Sequence, residues 1–582
     1  MDRITARLLR RFWLQRSPGY LLAIVAIAGS EVAQVQIPNL LGQFINHFKD
    51  GMTHAGVVRY ALLLAILGAV WIGAFAVGQL VLGNLSRVFE TELRQRLFVH
   101  WESLTSHYFQ LHSVGDLVNH LANDTSAVRE ALSSGANQVF QAVFLFPATL
   151  YMTIRYIDLR LTLGALIPML CIPVVIRVFG HRVEQRSRRA KDALSSLSAF
   201  AEESFQAIRI VKAMTHESIE GERFAAEADR VVDRQMQQVR INALFQALMP
   251  FFSGLSFVVG LMWGGVLVTH HRISLGSFVA FTTYLSMLIL PLMQIGFVVN
   301  LFQNASASLH RIDGLLAATP EVKDPVHPVN PPGHGEINVR NLTFTYPDSA
   351  TPALSDMTFH VAVGSTLGIV GRTGSGKTTL LRLILREYDP PPGTIEVDGV
   401  DVREMRLHDL RRLITYVPQD GFLFSMTIVE NIAFAHSTVD PVQIGPAVEA
   451  AQLASTIDTL PQGLNTLVGE RGIRLSGGQR QRTAIARALA KPDAIILVLD
   501  DSMSAVDSVT ETALLDALAP FQRNKTTLIA SHRMSTLRDA DWILVLEGGA
   551  LVDQGTHADL MAHNGLYAEM ASLQAQGGGD RG

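Results

Sequence analysis

The sequence contains one cysteine, Cys171, in 582 residues. A lone thiol excludes an intrachain disulfide and cannot by itself hold a structural metal, so packing and surroundings must stabilise the fold. Charge is scarce too. The 48 basic and 52 acidic residues make up 17% of the chain, against about 25% in an ordinary soluble protein. There is no basic excess: the formal net charge is −4 and the pI near 6.6. That sets nucleic acid aside as a partner, because phosphate neutralisation needs a positive surface. What is abundant is apolar, with 48% hydrophobic residues and a mean hydropathy of +0.25.

The charge deficit is concentrated in stretches free of Asp, Glu, Lys and Arg. These are Ser17–Ser30 and Val32–Phe48 (interrupted only by Glu31), Tyr60–Ser86, Ala131–Ile154, Leu161–Ile176, Ile241–His271 and Ile273–His310. About 20 apolar residues cross a ~30 Å hydrocarbon core, so the pattern predicts six membrane-spanning helices. The fourth is short and needs Val178–Gly180, past a snorkelling Arg177, to complete it. Arg3, Arg7, Arg10, Arg11 and Arg16 precede the first span, and Arg182, Arg186, Arg188, Arg189 and Lys191 follow the fourth. The positive-inside rule then puts the N-terminus in the cytoplasm of a plasma-membrane protein. The apolar stretch continues beyond Ala28, which favours a span over a cleaved secretion signal. Arg3–Arg16 itself reads as an interfacial amphipathic helix, and the long connections Arg87–Glu130 and Arg177–Arg240 as cytoplasmic continuations of the spans.

Composition changes at Thr319–Glu336, where five prolines favour an extended linker. From Ile337 onward short strands and helices alternate as in a soluble α/β domain. The segments are thus an N-terminal helix (1–17), a membrane domain (18–310), a linker (311–335), an α/β domain (336–573) and a Gly-rich tail (574–582) expected to be disordered. In the α/β domain, Gly371–Thr379 (GRTGSGKTT) lies between an apolar strand and a helical run, the context of a phosphate-binding P-loop. Its backbone N–H groups converge on a phosphate, Lys377 adds a positive charge, and Thr378 offers a hydroxyl to Mg²⁺. Ala494–Asp500 is an apolar strand ending in a carboxylate, the expected Mg²⁺-organising acid downstream of a P-loop.

With Leu475–Gln479 (LSGGQ), Gln419, Asp507 and His532 in the same order, the chain resembles the ATP-binding cassette (ABC) transporters. Six spans fused to one cassette resemble the exporter-type half-transporters of that family. The resemblance implies ATP and Mg²⁺ as cofactors, a lipid bilayer as surroundings, and a second half-transporter as partner. It implies a nucleotide site of Tyr346, stacked on adenine, with Gly371, Thr373, Gly374, Ser375, Gly376, Lys377, Thr378 and Thr379. Thr378, Gln419 and Asp500 would serve Mg²⁺, and Gln419 and His532 the γ-phosphate end. Ser476, Gly477, Gly478 and Gln479 would meet ATP held by the opposite cassette. Ser113–Thr125, with Gly115, Asp116, Asn123 and Asp124, and Ile208–Ile219 resemble the helices that couple cassette to membrane domain.

One departure stands out. Where the family usually has Glu, to polarise the attacking water, this chain has Asp501. Loss of one methylene withdraws the carboxylate by roughly 1.5 Å, and misplacement of about 1 Å can cost ~100-fold in rate. The expectation is therefore a slow ATP site here and an intact signature loop serving a competent site, as in one subunit of a heterodimeric multidrug exporter. A homodimer, a defined cargo such as a lipid, peptide or siderophore, and a regulatory ATP-binding subunit are the alternatives these residues leave open. Met249, Phe251, Phe252, Met262 and Trp263 suit amphiphilic small molecules as well as ordinary helix packing. Glu31, a carboxylate among apolar residues, marks a candidate substrate-cavity position.

Overall fold

Three short polar breaks in the apolar pattern become helix starts, because a side-chain oxygen there accepts from an orphan N–H of the first turn. Thr53 accepts from Gly56, Asp158 from Leu161 and Ser274 from Ser277. The structure, a computed structural model, describes residues 4–436, 438–469, 472–473, 475–523 and 525–578. Arg3 and residues 579–582 of the tail lie outside them. The chain divides into two compact units, Met1–Ser103 with His112–Ala318, and Leu104–Leu111 with Thr319–Gly582.

The first unit is helical: α1 (Ile4–Gln15), α2 (Ser17–Lys49) and α3 (His54–Glu102), then, after α4 (Ser106–Leu111) of the second unit, α5 (Val114–Asn119), α6 (Thr125–Glu130), α7 (Ala136–Tyr156), α8 (Leu159–Gln206), α9 (Ile208–Ala213), α10 (Glu217–Thr269) and α11 (Leu275–Ala317). The six expected spans fall on α2, α3, α7, α8, α10 and α11. Among the described residues, α2, α3, α8 and α10 are long and apolar enough to cross a membrane, and α11 contributes the apolar stretch Leu275–Ile289. α7 has 21 residues and includes Asn137, Gln138 and Gln141. With 49, 48 and 53 residues, α3, α8 and α10 each extend about 75 Å at 1.5 Å per residue, well past their apolar stretches.

Small residues let α2 and α11 touch. A Cβ on Gly276 would lie 1.9 Å from the Gly42 carbonyl oxygen, so a side chain there would force the helices apart. Tyr284 on α11 donates to the Val35 carbonyl on α2 at 2.9 Å, which satisfies a hydroxyl buried among apolar groups. α1 places Phe12 edge-on against Phe89 at 5.1 Å, while Trp13 and Leu14 stay exposed. Its remaining exposed face carries Arg7, Arg10 and Arg11.

The second unit is built on one ten-stranded sheet, ordered β5-β4-β1-β2-β10-β9-β3-β8-β7-β6. The strands are β1 (Ile337–Phe344), β2 (Leu354–Val361), β3 (Thr366–Gly371), β4 (Ile395–Val397), β5 (Val400–Asp401), β6 (Ile414–Val417), β7 (Ile496–Asp500), β8 (Thr526–Ala530), β9 (Trp542–Glu547) and β10 (Ala550–Gly555). β6, β7, β8, β3 and β9 pair in parallel, whereas β1, β2, β4 and β5 pair antiparallel. Parallel strands buried on both faces need continuous apolar runs, and β7 and β8 are buried at every position.

Two segment boundaries differ from the sequence reading. Arg311–Ala317, assigned to the linker, is the last part of α11. There Arg311 is paired with Asp124, which ends the linker's freedom at Ala317. Gln574–Gly578, assigned to a disordered tail, belongs to the helix Leu566–Gly578. The proline-rich linker is itself docked on the cassette. Arg386, 2% exposed, donates to the Lys323 carbonyl at 2.7 Å as well as to Val402, Met405 and Asp389.

Candidate functional site

The carboxyl ends of adjacent parallel strands are where an open α/β sheet gathers its chemistry. β3 delivers the P-loop, β8 delivers His532, β7 delivers Asp500 and Asp501, and β6 leads to Gln419. The P-loop turns into α12 (Lys377–Ile384) through Gly374 and Gly376, both left-handed at φ +83 and +101. At Gly376 a Cβ would also meet Leu354 at 2.6 Å, so only glycine closes this turn. Lys377 Nζ donates back to the carbonyls of Gly371 (2.7 Å) and Arg372 (3.1 Å), curling over the loop.

The two acids sit differently. Asp500 is 2% exposed, with Oδ1 accepting from the Thr378 hydroxyl at 3.1 Å and Oδ2 from the Tyr416 hydroxyl at 3.2 Å. Burial pushes its carboxyl up, and the two hydroxyl bonds oppose that rise. Burial likewise pulls the Lys377 ammonium down, against the pull of Asp501 and Asp500. Asp501 adopts φ +47 and donates its N–H to Ala530 at 2.8 Å. Its Oδ1 lies 2.7 Å from His532 Nδ1, and Gln419 Nε2 donates to its Oδ2 at 3.5 Å. Asp501, His532 and Gln419 thus converge at one end of the cavity, where they can orient a water and take up its proton.

Tyr346, Gly374, Ser375, Gly376, Lys377, Thr378, Thr379, Thr373, Gln419, Asp500, Asp501 and His532 line one cavity of about 470 Å³. Gly371 ends β3 just behind it. The cavity fits a nucleotide: the Ser375 hydroxyl is buried with no hydrogen-bond partner among the described residues, as expected of a group awaiting phosphate. Tyr346, at the other end, donates to the Thr379 hydroxyl at 3.0 Å and packs edge-on against Tyr388 at 5.1 Å. Among the described residues no cluster of three His, Cys, Asp or Glu side chains forms a metal cage. Thr378, Asp500 and Gln419, the residues expected to serve Mg²⁺, all line the cavity.

The signature loop faces elsewhere. Ser476 caps the helix Gly477–Leu489, its hydroxyl accepting from the Gln479 N–H at 3.3 Å while Gln479 Oε1 accepts from the Ser476 N–H at 2.9 Å. None of Ser476, Gly477, Gly478 and Gln479 lines the cavity around Lys377. Asp507 caps the helix Ser508–Gln522. Two residues the sequence reading missed tie these loops together. Gln481 donates to the Gln419 carbonyl (3.2 Å) and the Ser504 hydroxyl (3.1 Å) and accepts from the Ala505 N–H. Gln574 accepts from the Met534 N–H at 3.0 Å and donates to the His532 carbonyl. Gln481 sits two residues past LSGGQ, a position that could have drawn notice. Gln574 carried no signal, because its contacts are 40 and 42 residues away.

The first segment assigned to coupling lies in the helical unit. Gly115 and Asp116 are exposed on α5 of the helical unit. Asp124 is an internal brace of that unit, taking Arg311, Ser308 and His120 on one carboxylate. Burial raises the Asp124 carboxyl, but Arg311, His120 and Ser308 outweigh it and hold it low. The segment that belongs to the cassette unit is instead Leu104–Leu111, containing α4. Ser106 there donates to Glu387 at 3.4 Å, and His107 lies between Glu321 and Asp348. The second assigned segment, Ile208–Ile219, comprises α9, none of whose six residues is buried, and the start of α10. Glu31 is 1% exposed within the helical unit, and its Oε2 has no hydrogen-bond partner among the described residues.

Two family profiles match the chain: the ABC transporter transmembrane region over residues 20–292 and the ABC transporter domain over residues 354–504. It is 35% identical to the probable multidrug resistance ABC transporter ATP-binding/permease protein YheI of Bacillus subtilis, over 97% of this chain and 96% of that one. It is 33% identical to the multidrug resistance-like ATP-binding protein MdlA of Escherichia coli, over 97% and 95%. To an ATP-dependent lipid A-core flippase of Pseudomonas fluorescens (strain Pf0-1) it is 33% identical, over 95% and 94%. Among solved structures, a bacterial Atm1-family ABC exporter with ATP bound superposes with a TM-score of 0.78 at 27% identity, over 97% of this chain and 98% of that one.

Proposed function

Because this chain belongs to the ABC transporter family, as an exporter-type half-transporter that couples ATP hydrolysis to transport across the plasma membrane, we propose that it exports hydrophobic or amphiphilic compounds as one half of a heterodimer. In that assembly its own ATP site is slow, and its signature loop completes the partner's faster one. The observation that carries this reading is Asp501, which stands in an otherwise complete site with its carboxylate drawn 2.7 Å from His532. The names of the multidrug relatives support the substrate class.

In the proposed cycle Tyr346 stacks on adenine, the P-loop amides and Lys377 neutralise the phosphates, and Thr378, Asp500 and Gln419 hold Mg²⁺, which supplies charge neutralisation when bound. Asp501 and His532 position water at the γ-phosphate end, Asp501 from too far back to do so well. Ser476, Gly477 and Gly478 present a helix N-terminus to the nucleotide of the second cassette. α9, with none of its residues buried, carries exposed Ile208 and Ile210 and is followed by exposed Met214, which supports docking on that second cassette. The N-terminus and cassette lie on the cytoplasmic side. Glu31, buried and half unpaired, is the carboxylate a cationic amphiphile meets once the helices part.

The test is native mass spectrometry of the tagged chain extracted from its own membranes, followed by ATPase and vesicle-transport assays on that complex. The expected species is a 1:1 complex with a second half-transporter carrying Glu at the Asp501 position, stimulated by several unrelated amphiphiles. A homodimer would defeat the heterodimer proposal. The lipid A-core flippases among the relatives favour a second reading, a defined lipid cargo; stimulation by one lipid and by no drug would establish it instead.

A further inference from the structure

His107 on α4 is 7% exposed and has a carboxylate against each ring nitrogen. Nδ1 lies 2.8 Å from Glu321 Oε1 in the linker, and Nε2 lies 2.8 Å from Asp348 Oδ2 in the loop between β1 and β2. An ionised carboxylate only accepts hydrogen bonds, so satisfying both contacts requires an N–H on both nitrogens, that is, an imidazolium. A neutral ring would turn one lone pair towards an oxygen anion. The setting keeps the cation. Besides Glu321 and Asp348, the charged and titratable groups on the elements packed around it include Glu387, bonded to Ser106, Arg382, paired with Glu387, the phenols Tyr388 and Tyr346, Tyr108 on α4 itself, and Lys323 and Asp324 in the linker.

Asp348 is two residues past Tyr346, and the Ser349 N–H donates to the Tyr346 carbonyl at 3.0 Å, closing a tight turn around both. The same imidazole also packs on Tyr388 at 6.0 Å, which in turn packs edge-on against Tyr346 at 5.1 Å. His107 therefore reaches the Tyr346 loop by two routes, one ionic and one aromatic. It does so from a segment that is continuous in sequence with α3 on one side and α5 on the other.

We propose that His107 is a positioning residue for the adenine end of this chain's own ATP site, its imidazolium bridging Glu321 and Asp348 so that the Tyr346 loop is held ready to receive the base. The inference rests on the reading of Tyr346 as the adenine platform. Hydrogen bonds to Glu321 and then Asp348 raise the His107 pKa against the opposing effect of burial. A raised histidine contributes fully below its ordinary value, near 6.5, and its contribution is lost as pH climbs through the raised one. Loop positioning is thus complete in mild acid and relaxes as pH climbs above the ordinary histidine value.

The experiment is equilibrium binding of Mg-ATP to the full-length chain in nanodiscs between pH 6 and pH 9, by displacement of a trinitrophenyl-ATP probe, for wild type, His107→Gln, Asp348→Asn, the double variant and Tyr346→Ala. Ionisation of the triphosphate itself cancels in the ratio of variant to wild type. His107→Gln is expected to weaken ATP about three- to tenfold at pH 6, the range for the net worth of one ordinary hydrogen bond, with the ratio closing to one at pH 9. Asp348→Asn should reproduce that loss, and the double variant should add nothing further. A ratio that stays constant with pH, or losses that add, overturns the inference while Tyr346→Ala still weakens binding. If Tyr346→Ala leaves ATP affinity unchanged, the adenine reading and the inference fall together.

Discussion

The cassette has two surfaces made for nucleotide, and they differ in kind. Around Lys377 the surface is a cavity whose acids, hydroxyls and amides come from four strand ends and already bond one another: Thr378 to Asp500, Gln419 and His532 to Asp501. Around Ser476 it is one helix N-terminus, capped by its own side chains and separate from that cavity. The first surface can be weakened by moving one carboxylate a bond length. The second has no acid to lose. In the proposed heterodimer, a catalytic defect would fall on the Lys377 side and leave the Ser476 side fit to serve the other subunit.

Four substitutions probe that contrast. The largest effect is expected from Gly477→Asp, which puts a negative charge at the helix N-terminus: ATPase of the native complex should fall about 100- to 1000-fold, as when oxyanion donors are lost. ATP affinity of this chain's own site should not change, and a parallel loss there would show that the two surfaces are not independent. Next, Asp501→Glu in the isolated chain should raise steady-state ATPase by about 100-fold by restoring the reach of the carboxylate. A wild-type chain that alone turns over on the order of ten times per second would contradict the slow-site reading.

Smaller is the effect of Tyr346→Ala. Loss of base stacking, worth about 1–3 kcal/mol, should weaken Mg-ATP binding by about five- to 150-fold at the Lys377 cavity only, read by probe displacement. The smallest expected effect on nucleotide chemistry comes from Asp124→Asn. It should leave cassette ATP affinity at the wild-type value while costing about 1.5–3 kcal/mol of stability through weakened charge-assisted bonds to Arg311, seen as a lowered melting temperature in nanodiscs. Altered ATP affinity in that variant would instead support the coupling role expected of Asp124 from the sequence.

How much the sequence revealed follows from the range of each interaction. The P-loop, the Asp500 strand and the LSGGQ helix were legible because their chemistry is local: a few consecutive residues supply the strand end, the turn glycines and the cap. The contacts of Asp124 were illegible for the opposite reason. Its neighbours in sequence look like an exposed polar helix, and only the return of α11, 187 residues later, brings Arg311 to it. His107 has nothing in its local sequence to mark it, since its partners lie 214 and 241 residues away. Arg386 is a similar case: it reads as a surface cation, yet it is 2% exposed and collects four acceptors from three separated segments.

By itself the sequence determined the membrane-spanning character, the cassette and its fold class, and the single altered acid, because hydrophobic length, turn geometry and side-chain chemistry are properties of short stretches of chain. The tertiary structure decided which polar segment joins the cassette, where the linker begins at Ala318 and the tail is held through Gln574, and that His107 is clamped beside the Tyr346 loop. Those outcomes depend on charges and hydrogen-bonding groups far apart in the chain finding partners on burial, and an unpaired buried charge is too costly to leave to local preference.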